Sequence, residues 1–342
     1  MPVATDQART APTLHFADIV ESVRGELAAL DAFLAEEVRG FEPELRDMVD
    51  YCLRNQGKRL RPLLVFYSGY SERNHTTHAN NLVRAAAVVE LVHQATLVHD
   101  DILDTARVRH SEATPWARYG ATAAVLLGDA LFAQALNLAA GFDTVDVCRA
   151  VSRATRRVCA GEIAQTLHRG SRHQNFEHYF RVIELKTAEL FQVSCELGAR
   201  LAGYPRQVVE QAAQFGLRLG RAYQIFDDLT DFAGDELKIG KTLGTDLASG
   251  KYTLPLLHHL ECLPQSQADA LHNELASGAF DARALLPQLI ESGALSRAVE
   301  RFELELAEAE AALQPVAEDY PAAQRLVVLS HFVRQQISKL QW

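Results

Sequence analysis

The residues best suited to chemistry in this chain are aspartates. Asp100, Asp101 and Asp104 close the run Leu97-Val98-His99-Asp100-Asp101-Ile102-Leu103-Asp104, at the end of a long apolar stretch from Ala85 to Val98. On an α-helix Asp100 and Asp104 share a face, with Asp101 beside them. Carboxylates gathered this way raise one another's pKa unless something positive neutralises them. A hard cation such as Mg²⁺ suits an all-oxygen cluster, because it accepts a few carboxylates and keeps positions open for phosphate oxygens. One such cluster alone would more often be a solvated helix end. The second copy changes that balance: Phe226-Asp227-Asp228-Leu229-Thr230-Asp231 repeats the DDxxD spacing after another helix-compatible stretch. Two copies suggest two carboxylate-bearing helix faces aimed at a shared cavity.

Positive charge complements them. Gln56-Gly57-Lys58-Arg59-Leu60-Arg61-Pro62 sets three cations within four residues after a helix-breaking glycine. Cations are disfavoured at a helix amino terminus unless an anion sits there. Backbone N–H groups, Lys and fork-shaped Arg together make a diphosphate site. A basic helix start is the plainer reading of the same residues.

With both aspartate motifs and this basic segment in order, the chain strongly resembles the trans-isoprenyl diphosphate synthases, from about Asp47 to about His259. The Ala95-Thr96-Leu97-Val98-His99-Asp100-Asp101 run is most similar to the long-chain members. The resemblance implies an all-α fold, a single large helical bundle around a central cavity. It also implies a Mg²⁺-dependent prenyltransferase that condenses isopentenyl diphosphate with an allylic diphosphate into an all-trans polyprenyl diphosphate. By that resemblance Asp100, Asp101, Asp104, Asp227, Asp228 and Asp231 hold the metal ions. Lys58, Arg61 and His93 hold isopentenyl diphosphate, while Arg109 and Lys251 surround the allylic diphosphate. Lys186 and Lys241 stabilise the departing pyrophosphate, and Thr187 and Gln224 offer dipoles to the allylic cation. The pyrophosphate itself removes the proton, so no protein base is expected. Gly161-Glu162-Ile163-Ala164-Gln165 and Lys186-Thr187 with Glu189-Leu190-Phe191 resemble two further family segments, and Asp246 matches a position in the Gly-rich loop. The chain departs at His110, where the family has a second Arg, and at Ser111-Glu112. Imidazole carries little charge at pH 7 and lacks the guanidinium fork, so isopentenyl diphosphate should bind more weakly or with a pH dependence.

Product length is a packing matter. Ala95 and Thr96 lie about one helical turn, roughly 5.4 Å, above Asp100, a distance on the scale of one isoprene unit. Short-chain relatives block this position with an aromatic ring. Small residues here imply products longer than farnesyl, with Leu127, Leu131 and Phe132 as candidate floor.

The elements that must position these residues read as helices. Phe16 to Leu34 carries one amphipathic pattern. Further helices are predicted over 45–55, 60–72, 80–105, 121–140, 145–167, 176–202, 207–232, 253–263, 265–276, 282–292, 296–313 and 322–339. Sustained period-two alternation is missing, so a sheet is not expected. Residues 1–13 read as a mobile tail and 14–342 as one domain. The composition, 48% hydrophobic and 23% charged, suffices for a large core. A net charge of −10 argues against nucleic acid. Five scattered cysteines read as reduced thiols. With neither a secretion-type apolar segment nor an uninterrupted apolar run of roughly 20 residues, a cytoplasmic location is expected, with peripheral membrane contact open for a long product. The resemblance implies a homodimer. His168, His173 and His178 lack a completing zinc pattern and read as an exposed inter-helix segment. Gly240, Gly244 and Gly250 follow no strand, so they are not a dinucleotide fingerprint.

Three alternatives remain at this level. A terpene cyclase would not need the GKRLRP segment or a second DDxxD. A non-catalytic regulatory subunit would be expected to lose carboxylates that this chain retains, though His110 points that way. A geranylgeranyl diphosphate synthase fits the same spacing.

Overall fold

The computed structural model describes residues 15–54, 57–71, 79–109, 111–233, 244–276, 282–340 and 342. Ser22 decides the first feature. Its hydroxyl donates to the Ile19 carbonyl at 2.8 Å and lies 2.8 Å from the Tyr67 hydroxyl. A serine bonding backward in this way competes with the helical ladder, and Val23 leaves helical geometry. The predicted single helix is therefore two: α1 (Phe16–Glu21) and α2 (Arg24–Gly40). Ile19 and Val23 still reach the core from either side of the break.

Next come α3 (Pro43–Arg54), α4 (Leu60–Ser68) and α5 (Ala79–Leu103). From Val83 to Val92 α5 is apolar except for Arg84 and Glu90, and it is buried among α2, α4, α7 and α10, as so apolar a helix must be. Each large aliphatic side chain enclosed there contributes about 1.5–3 kcal/mol. After α5 the chain makes the two-residue antiparallel ribbon β1 (Val108–Arg109) and β2 (Glu112–Ala113), pairing Val108 with Ala113 and Arg109 with Glu112. This ribbon is the exception to the sheet-free expectation, and it is too short to carry an alternating pattern. Thr114 caps α6 (Pro115–Tyr119). The Trp116 indole donates to the Ala106 carbonyl at 2.6 Å, fixing the ribbon's exit.

Helices α7 (Ala121–Ala140) and α8 (Val145–Leu167) follow. Among the described residues α7 is the one helix long and apolar enough to cross a membrane by length and composition, with 39% of its apolar window buried. The sequence predicted this helix over 121–140, and Asp129 and Gln134 interrupt its apolar run.

The predicted helix 176–202 is interrupted. α9 (Phe176–Ile183) passes through a π-helical turn, Glu184–Ala188, into α10 (Glu189–Leu201), whose residues from Glu189 to Ala199 are nearly all buried. α11 (Arg206–Ala233) packs along α10 and delivers the second aspartate motif at its end. After the short helix Thr245–Ala248 come Leu254–Cys262, Gln265–Ala276, Ala282–Glu291, Ala294–Leu313 and Ala322–Ile337, of which Ala294–Leu313 packs along α11. The buried Tyr320 hydroxyl donates to the Ser68 carbonyl at 2.8 Å, tying this last part to α4.

Candidate active site

The first aspartate motif ends α5, where the apolar face runs out. The Asp104 N–H still donates to the Asp100 carbonyl at 2.8 Å, so the helical register extends through the motif. Thr105 then turns left-handed at φ 52°. For a non-glycine residue that costs roughly 1–2 kcal/mol.

Each carboxylate of this motif meets a cation. Asp101, 2% exposed, accepts Arg109 Nε at 3.0 Å and Nη2 at 2.8 Å on one oxygen. Burial opposes the charge on Arg109, but the Asp101 hydrogen bond and the surrounding aspartates outweigh it, and the pKa rises. Asp100 lies 3.4 Å from Lys186 Nζ, which also pairs with Glu162 and donates to Gln165 at 3.0 Å. Burial pushes Asp100 up to about 6, with Lys186 opposing and Glu162 and Asp104 adding repulsion. Asp104 pairs with Arg169 and with Lys251 Nζ at 3.2 Å. Its burial is outweighed by Lys251, Lys186 and Arg169, so its pKa falls.

In the second motif Asp228 is held by neutral donors. Asp228, 2% exposed, accepts the Tyr179 hydroxyl at 2.6 Å on one oxygen and the Gln224 amide at 2.8 Å on the other. Burial and the nearby Asp246 carboxylate push its pKa well up. Gln224 in turn accepts the Thr187 hydroxyl at 2.7 Å. Asp231 Oδ2 accepts the backbone N–H of Asp246 at 3.1 Å. Asp227 is felt at Lys58, whose pKa burial and Lys339 lower while Asp227 pulls it back.

The two motifs face one ionic cluster. Lys251 Nζ stands 3.2 Å from Asp104 and 3.4 Å from Asp246, and Asp246 is hydrogen-bonded through its backbone to Asp231. Among the described residues no three His, Cys, Asp or Glu side chains are grouped for an ion. Lys186, Arg169 and Lys251 stand between the carboxylates instead. Ammonium and guanidinium groups here do what a divalent cation would do: neutralise oxygen donors that otherwise repel. The donor set fits a hard cation with phosphate oxygens completing its shell.

The basic segment divides its labour. Arg59, at the start of α4, is left-handed with φ 49° and pairs with Asp31 of α2. Arg61 lies 5.2 Å from the Phe191 ring centre, and its Nη1 is 2.9 Å from His93 Nε2. A guanidinium only donates, so the imidazole accepts there. Burial lowers the Arg61 pKa, with Glu90 opposing. Arg61 Nε is buried without a hydrogen-bond partner, an orphaned donor that an anion would satisfy.

Of the chain-length residues, Ala95 is fully buried, and Thr96 donates to the His93 carbonyl at 2.6 Å. Leu127 and Leu131 are buried, while Phe132 is partly buried against His99. Lys241, His110 and Gly240 lie outside the described residues, as does the 1–13 segment. The His168 and His178 rings lie 4.5 Å apart, and His178 belongs to α9 rather than to the inter-helix segment.

Sequence reasoning missed Tyr179, Arg169 and Lys339. Arg169 sat inside the histidine segment read as exposed, and Tyr179 directly follows it. Lys339 gave no signal beyond its charge.

Comparison with known proteins agrees with this geometry. The family model for polyprenyl synthetase matches residues 42–292. The octaprenyl diphosphate synthase of Escherichia coli K12 is 31% identical over 331 residues, covering 94% of this chain and 99% of that protein. A polyprenyl synthase from Caulobacter crescentus CB15, crystallised with calcium and isoprenyl diphosphate, superposes with a TM-score of 0.86 at 27% identity, covering 95% of this chain and 98% of that one. A decaprenyl diphosphate synthase from Rhodobacter capsulatus gives a TM-score of 0.84 at 26% identity, covering 96% and 100%. The match spans most of the chain in sequence and nearly all of it in structure, and the chain therefore belongs to the polyprenyl synthetase family of trans-prenyltransferases.

Proposed function

We propose that the protein condenses isopentenyl diphosphate with an allylic diphosphate to build an all-trans polyprenyl diphosphate longer than farnesyl. The observation that carries this reading is the bridge that joins the two aspartate motifs: Lys251 pairs with Asp104 and Asp246, and the Asp246 backbone N–H donates to Asp231. Relatives named for octaprenyl and decaprenyl products support the length, as do the small residues Ala95 and Thr96.

In this reading Asp100, Asp101, Asp104, Asp227, Asp228 and Asp231 hold Mg²⁺. When bound, that metal supplies Lewis-acid charge to the diphosphate oxygens. Arg109, Lys186 and Lys251, with Lys241, orient the allylic diphosphate and stabilise the negative charge that develops as its C–O bond breaks. The Thr187 and Gln224 oxygens face the resulting allylic cation, and the Gln224–Asp228 and Asp228–Tyr179 bonds keep them there. Lys58, Arg61 and His93 hold isopentenyl diphosphate so that its alkene attacks that cation. The orphaned Arg61 Nε supports an anion there. The departing pyrophosphate takes the proton.

Residues 14–342 act as one catalytic domain in this proposal. We further propose a homodimer, supported by the exposed apolar side chains Val125, Leu126 and Leu136 on α7. A cytoplasmic setting is supported by five unpaired cysteines.

The test is incorporation of labelled isopentenyl diphosphate with farnesyl diphosphate as primer. Incorporation should require Mg²⁺ and vanish with a chelator. Folded protein that incorporates none with any allylic primer would sink the proposal.

A further inference from the structure

Lys186 and Thr187 enter the site from the π-helical turn Glu184–Ala188. Such turns are rare, and they persist where the surroundings hold them. Two glutamates bracket this one: Glu184 opens it, and Glu189 opens α10. In an α-helix residues five apart are rotated by about 140° and do not share a face. The i→i+5 bonding of a π-turn brings them into line.

One arginine reads that alignment. Arg157 of α8 donates from Nη2 to Glu184 Oε1 at 3.2 Å and from Nε to Glu189 Oε2 at 2.5 Å. Arg221 of α11 pairs with the other Glu184 oxygen and lies 3.7 Å from the buried Glu305. Both flanks are also closed sterically. A Cβ on Gly161 of α8 would sit 2.7 Å from the Lys186 nitrogen, and one on Gly220 of α11 would sit 2.6 Å from the Ala188 Cα. Glu184 pairs with Arg157 and with Arg221, which reach on to Glu189 and Glu305; among the described residues none of these pairs includes a carboxylate of the aspartate motifs.

We propose that Arg157, Glu184 and Arg221 form a positioning clamp that selects the π register of this turn. Through that register the clamp sets where Lys186 Nζ and Thr187 Oγ1 stand for ionisation of the allylic diphosphate. The inference rests on the roles given to Lys186 and Thr187 above. Relaxation to an α-helical register would rotate these residues by about 100° relative to α9 or α10. Isopentenyl diphosphate binding at Lys58 and Arg61 would be untouched.

The test combines steady-state kinetics with amide hydrogen exchange on the full chain, using Glu184→Ala, Glu184→Gln and Arg157→Lys. Lysine keeps the charge at 157 but cannot fork between two carboxylates. Glu184→Ala and Arg157→Lys should each lower kcat by about 100-fold, the scale of an ångström-sized misplacement. KM for isopentenyl diphosphate should stay within about threefold, since no ground-state contact to it is lost. Exchange should rise in the segment 183–190, and Glu184→Gln, whose single amide oxygen accepts from one of the two arginines and presents a donor to the other, should recover only part of the loss. The double variant should be no worse than the weaker single, as expected for residues acting as a unit. Should Glu184→Ala fail to fold, Arg157→Lys carries the same test. Wild-type exchange over 183–190 in the folded variants, or wild-type kcat despite loosened exchange, would overturn the clamp. If the wild-type protein incorporates no isopentenyl diphosphate, the functional reading fails, and the exchange arm still decides whether the clamp sets the register.

Discussion

The two aspartate motifs share a spacing and differ in what surrounds them. In the first motif every carboxylate faces a cation: Arg109, Lys186, Arg169 or Lys251. On α11 Asp228 is gripped by a phenol and an amide, and Asp231 by a backbone N–H. The first is a charge-balanced cluster whose cations can turn from carboxylate to phosphate when a diphosphate and its metal arrive. In the second, neutral hydrogen bonds from Tyr179 and Gln224 fix the direction of the Asp228 side chain before anything binds. One sequence pattern thus supports two physical roles, and the environment assigns them.

The largest effect should come from the charge-balanced side. Asp100→Asn removes charge where metal and diphosphate must meet, and kcat should fall by about 10³-fold, or about 4 kcal/mol. Steady-state rates on folded protein check this, and a loss under tenfold would place Asp100 outside the reaction. On the framed side Tyr179→Phe deletes one donor to Asp228 and leaves every charge in place. A loss of about 10- to 100-fold is expected, the range for residues that orient a ligand rather than serve as one. If Tyr179→Phe costs as much as Asp100→Asn, the contrast between the motifs collapses.

A third effect is smaller and depends on pH. Burial raises Asp100 from 3.8 to about 6. A carboxyl raised on folding contributes stability below its unfolded pKa, and that contribution is lost as pH rises through the folded value. Metal binding needs the ionised form, so Mg²⁺ affinity should fall as pH drops through about 6, approaching tenfold per unit. Thermal melts with and without Mg²⁺ give the readout: the Mg²⁺-induced rise in Tm should be larger at pH 7.5 than at pH 5.5. An equal rise at both would contradict the account of Asp100.

The sequence made the carriers legible and left their partners obscure. Helix α5 was expected over 80–105 and runs Ala79–Leu103; α11 was expected over 207–232 and runs Arg206–Ala233. Long apolar patterns ending in DDxxD have few other ways to fold. Arg169 and Lys251, by contrast, reach Asp104 from 65 and 147 residues away in the chain. No local pattern encodes such a meeting; only the family resemblance suggested Lys251, and nothing suggested Arg169. The π-turn was hidden for another reason. One extra residue within a 3.6-residue period leaves the apolar pattern of 176–202 almost unchanged, while it redirects Lys186 and Thr187. The break at Ser22 was hidden because a serine bonding back to Ile19 leaves the apolar spacing unchanged, and the Tyr67 hydroxyl that meets it lies far along the chain.

The most direct test of the central claim is the mass of the product. The protein would be given Mg²⁺, isopentenyl diphosphate and, separately, dimethylallyl, geranyl, farnesyl and geranylgeranyl diphosphate. The expected product is a ladder of C5 steps ending in one dominant chain longer than farnesyl, with Thr96→Phe shifting that end to shorter products. A cyclic hydrocarbon, or no elongation from any primer by folded, Mg²⁺-binding protein, would contradict it.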